Sequence, residues 1–249
     1  MKNYRFQLLD TIRGVVLVSM MIYHATWNLV YIYGMDWAWY KSKGAYVWQQ
    51  SICWTFILLS GFCFSLGKRH LKSGLVVFGA GILVTVSTLI AMPQNRVVFG
   101  VLTCIGSCIL IITFAEKAVR KIPPVAGAAG SFFLFLVSKN VNNGYLGLGH
   151  GGIIKLPLQW YQNYVSTYLG FPFRGFYSTD YFSLLPWFFL FAAGFFLYEI
   201  CEKQGVFGKE FMKADISVFS FLGRNSLLIY LLHQPLIYGV QELLFGKKF

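Results

Sequence analysis

The chain has 249 residues, 57% hydrophobic and 19% aromatic but only 12% charged, against roughly 25% charged in an average soluble domain. This excludes an ordinary soluble fold and predicts an all-α, polytopic membrane helix bundle, because one bilayer span takes about 20 mostly apolar residues. The formal net charge of +12 does not point to nucleic acid, since the basic residues sit in short clusters between apolar stretches, as the positive-inside rule requires.

Seven spans are predicted in chain order, at about 14–33, 48–67, 74–91, 97–115, 124–138, 182–200 and 224–245, forming one domain over 1–249. The opening "MKNYRFQLLDTIRG" is charged and enters a long apolar stretch without a small-residue cleavage site, which reads as a retained first span. With that end cytoplasmic, the inner side collects Lys2, Arg5, Arg13, Lys68, Arg69, Lys72, Lys117, Arg120, Lys121, Lys203, Lys209, Lys213 and Arg224, thirteen of the 21 basic residues. Trp27, Trp37, Trp39, Tyr40, Tyr46 and Trp48 then fall at the outer interface, where amphipathic rings prefer to sit.

The segment 139–181 is the one long connection, and its aromatic content argues against disorder. It is expected to lie in the interface or dip back as a cover over an outward-facing cavity. Gly147, Gly149 and Gly152 in it satisfy GxGxxG, but no strand-helix-strand unit surrounds them and no dinucleotide site follows. Cys53, Cys63, Cys104, Cys108 and Cys201 form no CxxC pair, so neither a disulfide framework nor a zinc site is indicated. Cys104 and Cys108 read as small packing residues.

Ionisable residues inside a span are costly and usually face a partner or an interior cavity. On the first span Asp10, Arg13 and His24 share a face at 100° per residue, and His24 lies about 16 Å beyond Arg13, near mid-membrane. The last span repeats the pattern: in "GRNSLLIYLLHQPLIYG", His233 lies about 13 Å beyond Arg224, with Ser226 and Tyr230 on its face. Two Arg-to-His ladders thus place imidazoles at similar depth. The same residues also fit a local Asp10–Arg13 pair with His24 as a hydrogen-bonded packing residue on the first span, and a polar packing seam on the last. Pro235 frees the Leu231 carbonyl, a kink that membrane helices tolerate. Asp180, before the sixth span, reads equally as an acceptor ligand or a helix cap. Glu199, Glu202 and Glu242 read as interfacial charges, and His70 and His150 as solvated.

The stretch "LDTIRGVVLVSMMIYHATWN", together with "FGVLTCIG", "STDYFSLLPWFFLFAAG" and "LGRNSLLIYLLHQP" in that order, resembles the heparan-alpha-glucosaminide N-acetyltransferase family, specifically its short bacterial members. The first motif is also similar to the bacterial acyltransferase type 3 family. The resemblance implies transfer of an acetyl group from cytosolic acetyl-CoA, as acyl donor, to a hydroxyl or amine of an envelope saccharide across a bacterial cytoplasmic membrane. It implies His24, with Asp10 and His233, as the catalytic set, His24 acting as general base or acylated nucleophile. Arg13 and Arg224 are assigned to cofactor phosphate, with Asn225, Ser226 and Tyr230 beside them, and Asp180 and Trp187 to the acceptor side. No metal is implied, the bilayer is a partner, and an oligomer is compatible. The chain departs from the family in two places: 27–48 contains no histidine, where the lysosomal enzyme carries its catalytic one, and Thr103 stands where many bacterial relatives have histidine. Two rival readings stand beside it: a small-solute transporter in which the same polar residues form a path, which the absence of a second broken helix disfavours, and a scaffold of an envelope-synthesis complex that has lost catalysis, which the Thr103 departure permits.

Overall fold

A computed structural model describes residues 6–148 and 152–246. Lys2, Arg5, Gly149, His150 and the terminal 247–249 lie outside the described residues. Among the described residues the fold is all-α apart from one short hairpin. The long helices are α1 (Gln7–Tyr31), α2 (Lys43–Phe64), α3 (His70–Ala91), α4 (Val101–Val119), α5 (Pro124–Ser138), α7 (Leu184–Lys203) and α9 (Ser226–Phe245); α6 (Tyr164–Leu169) and α8 (Ser217–Arg224) are short.

Among the described residues, α1, α2, α3, α4, α7 and the stretch Pro124–Asn143 are long and apolar enough to cross a membrane. The expected seventh span is a helix of suitable length, α9, but His233, Gln234, Gln241 and Glu242 lower its apolarity below that of the six. It also starts later than expected. The chain breaks at Asn225, so Arg224 ends α8 and does not begin α9. Faces such as Leu75, Ile82, Val86 and Leu89 on α3 are exposed. On a polytopic protein such faces meet lipid.

Contacts divide the chain into two compact units, Met1–Phe56 with Gly205–Phe249, and Ile57–Gln204. In the first unit α1 packs on α8 and α9. A Cβ on Gly14 would fall 1.9 Å from the Phe219 carbonyl oxygen, and one on Gly223 would fall 1.9 Å from that of Asp10. Only glycines permit this approach, the small-residue packing common between membrane helices. Tyr23, Trp39, Tyr40 and Trp48 stack about the far end of α1, with Tyr23 and Trp48 ring centroids 5.2 Å apart. Of the six expected aromatic residues, Trp39, Tyr40 and Trp48 take part in this stack.

In the second unit α3 packs on α4, and α7 packs on α5 and α4. Gly61 and Gly194 repeat the glycine device: their Cβ atoms would lie 1.9 Å and 2.0 Å from the carbonyl oxygens of Phe191 and Leu58. Phe135, Phe191 and Phe195 fill the core and are fully buried, as are Cys104 and Cys108. The two cysteines are the packing residues their spacing suggests. At one end Arg120 pairs with Glu116 at 2.9 Å and with Glu199, so Glu199 is partnered and not merely interfacial. His70 stacks on Phe64 with ring centroids 4.1 Å apart.

The 139–181 segment is structured. It holds an antiparallel hairpin of β1 (Tyr145–Leu146) and β2 (Ile154–Lys155), with Tyr145 opposite Lys155. It also holds α6, closed by a reciprocal Asn163–Ser166 capping box. Tyr168 hydrogen-bonds Ser107 on α4, and Ser183 Oγ donates to Asn142 Oδ1 at 3.1 Å. These contacts dock the segment on the second turn of α4 and on the residue that precedes α7. Gly147 and Gly152 lie beside the β1–β2 pairing, and among the described residues no strand-helix-strand unit contains them.

Candidate functional site

Register between α1 and α8–α9 determines what the first unit assembles. Thr11 hydrogen-bonds Ser220 at 2.7 Å, Gly14 meets Gly223, and Asn28 Nδ2 donates to Gln241 Oε1 at 3.0 Å. Partners rise in number together, so the two run parallel. The break at Asn225 leaves this register intact, and the two ladders keep common levels: Arg13 and Arg224 adjoin the glycine contact, while His24 and His233 come together further along.

The His24 and His233 ring centroids lie 5.1 Å apart at an interplanar angle of 54°. Tyr230 stands 5.2 Å from His233 on the same helix, as the four-and-three spacing predicts. His233 is only 4% exposed, and its Nδ1 meets the Tyr230 carbonyl oxygen. Its Nε2 is buried and has no hydrogen-bond partner among the described residues. A buried unpaired imidazole nitrogen costs of order 1–3 kcal/mol, so it calls for an explanation.

His24 is placed by an amide chain that the sequence reading passed over. Gln234 Nε2 lies 3.2 Å from His24 Nδ1, Asn28 Nδ2 donates to Gln234 Oε1 at 3.4 Å, and Gln241 Nε2 donates to the Ala25 carbonyl at 2.9 Å. The available signal was spacing: Asn28 lies one turn after His24, and Gln241 two turns after Gln234, so each pair shares a helix face. Attention to ionisable groups alone missed these neutral ones.

At the Arg level, Arg13 Nη1 contacts Asp10 Oδ1 at 3.5 Å. Asp10 is buried where its backbone meets α8, and it stands about 21 Å along the helix axis from His24. Asn225 Nδ2 donates to the Phe221 carbonyl at 2.9 Å, closing α8, and Ser226 opens α9. Arg224 is exposed.

Asp180 and Trp187 belong to the second unit. Asp180 Oδ2 accepts from the Val101 backbone N–H at 3.3 Å, so it caps a helix, but that helix is α4. It was expected at the start of the sixth span, where Ser183 stands instead. Trp187 is buried against Phe182 and Phe135, with centroids 4.9 Å and 5.6 Å away. Thr103 Oγ1 donates to the Gly100 carbonyl at 2.6 Å.

A family model described as "Heparan-alpha-glucosaminide N-acetyltransferase, catalytic" matches residues 5–235. No curated protein and no solved structure matches the chain.

Proposed function

The chain belongs to the heparan-alpha-glucosaminide N-acetyltransferase catalytic family, and from that premise we propose that it moves an acetyl or other short acyl group from cytosolic acyl-CoA to a hydroxyl or amine of an envelope saccharide on the outer side of the membrane. The match takes in residues of both compact units, which supports reading 1–249 as one acyltransferase domain. The N-terminus is cytoplasmic in this reading.

The observation that carries it is the meeting of His24 and His233, 5.1 Å apart, with Arg13 on α1 and Arg224 at the end of α8 both adjoining the Gly14–Gly223 contact. Two guanidinium groups at one level suit the phosphates of coenzyme A. The extended pantetheine arm, roughly 15–20 Å at chain spacing, spans from that level to the imidazoles, which suit proton transfer or acyl capture near neutral pH. Asn225, Ser226 and Tyr230 flank the donor path. Asp10 holds Arg13, and Asp180 and Trp187 are proposed for the acceptor side. Family membership favours transfer over the transporter reading, and transfer lost in His24→Ala is what separates it from the scaffold reading.

The test is acetyl transfer from labelled acetyl-CoA in proteoliposomes to a panel of amino sugars and oligosaccharides. Transfer by the intact protein, lost in His24→Ala, is expected. Wild-type transfer by His24→Ala, or solute flux independent of acyl-CoA, contradicts the proposal.

A further inference from the structure

The amide chain beside His24 fixes where the protons on both imidazoles lie. The Ala25 carbonyl can only accept, so the Gln241 atom facing it is the amide nitrogen, and Gln241 Oε1 is turned toward Asn28. Asn28 must therefore present Nδ2, which also donates to Gln234 Oε1, the longest link at 3.4 Å. Gln234 is left with Nε2 toward His24 Nδ1, and that nitrogen must accept. Neutral His24 thus carries its proton on Nε2. His233 is fixed the opposite way: its Nδ1 faces the Tyr230 carbonyl and must donate, so its neutral ring has a bare Nε2. That is the buried nitrogen without a partner.

We infer that the pair is asymmetric, with His233 Nε2 as the proton acceptor of the transfer reaction, His24 Nε2–H as a hydrogen-bond donor, and Gln234, Asn28 and Gln241 as positioning residues that hold the His24 tautomer. This rests on the acyl-transfer reading. Both His24 nitrogens are committed, one to the Gln234 amide and one to its own proton, so His24 has no free lone pair for attack on an acyl group. His233 has one. In the step, an acceptor hydroxyl or amine bonds to the thioester carbonyl carbon and its proton passes to His233 Nε2, while His24 Nε2–H donates to the reacting oxygen. The carbon–sulfur bond then breaks, coenzyme A leaves as thiolate and takes the proton from His233. The products are ester or amide and free thiol, and both histidines return to their starting tautomers.

The experiment combines nitrogen-15 NMR of histidine-labelled full-length protein in nanodiscs with transfer kinetics. Two-bond couplings should show an unprotonated Nδ1 on His24 and an unprotonated Nε2 on His233, without any turnover. Reversed tautomers on either ring overturn the assignment. Gln241→Leu should give a mixture of His24 tautomers and a lower kcat with an unchanged KM for acetyl-CoA; a wild-type spectrum in this variant overturns the positioning role. His24→Gln keeps an N–H donor and should stay within about tenfold of wild type, whereas His233→Gln cannot take a proton and should lose about 10²–10⁴-fold. The opposite ranking overturns the roles. Expected tautomers with no acetyl transfer would refute the transfer reading alone, and a transferring enzyme with reversed tautomers would refute this one alone.

Discussion

Gly14 and Gly223 bring α1 onto α8 as closely as Gly61 and Gly194 bring α2 onto α7, with every added Cβ placed 1.9–2.0 Å from a carbonyl oxygen. What surrounds the two contacts differs. The second unit fills its core with Phe135, Phe191 and Phe195. The first places imidazoles and amides along α1 and α9, leaving His233 Nε2 without a partner. Membrane helices gain little from interhelical hydrogen bonds, often below about 1 kcal/mol each, so the polar seam is a poor way to hold helices together and a suitable way to orient reactive groups. Apolar packing fills one region, and the other carries the polar seam to which the proposed chemistry is assigned.

The largest effect should fall on what the two regions share. Gly14→Leu and Gly61→Leu each drive a side chain into backbone that cannot yield without moving a helix, and each should cost more than about 3 kcal/mol. Loss of the monodisperse peak in fluorescence-detected size exclusion is expected for both, and a wild-type profile for either would break the likeness. Next comes their divergence. Phe191→Ala should lower stability by about 3–5 kcal/mol, read as a fall in Tm. Gln241→Leu should cost only about 0.5–2 kcal/mol yet lower kcat; equal Tm losses would erase the contrast.

Asp180 lies between packing and chemistry. Asp180→Asn keeps an oxygen for the Val101 N–H and should shift stability by less than about 1 kcal/mol. A raised acceptor KM at unchanged Tm assigns Asp180 to the acceptor, and unchanged kinetics leave it as the α4 cap alone. The smallest effect is expected at high pH. Burial holds the Tyr181 phenol above its ordinary range, while its hydroxyl donates to the Thr167 carbonyl. A raised acid contributes its full stability below the unfolded value of about 10 and loses it as pH rises through the folded value. Tm should therefore fall above about pH 10, and less steeply in Tyr181→Phe.

Much of this was legible in the sequence. Long apolar stretches locate α1 to α5, α7 and α9 because lipid forces each span to satisfy its own backbone. The similar depth of His24 and His233 follows from their comparable spacing beyond Arg13 and Arg224. Three features were not legible. The break at Asn225 is a local choice between continuing one helix and letting α8 seat against Gly14. The Asn28–Gln234–Gln241 chain depends on the rotation of α9 about its axis, which spacing along one helix cannot give. The capping of α4 by Asp180 joins residues 79 positions apart, and a carboxylate before α7 looks like a cap for α7 until the tertiary fold is known.

Whether the first unit holds an acyl donor is decided by acetyl-CoA binding to the purified, detergent-solubilised protein, measured by calorimetry beside Arg13→Ala and His24→Ala. Binding to the intact protein is expected, weakened about tenfold or more by Arg13→Ala, in keeping with loss of a charge-assisted phosphate contact, and retained in His24→Ala. Absence of binding to the intact protein, or binding indifferent to Arg13, would contradict the proposal.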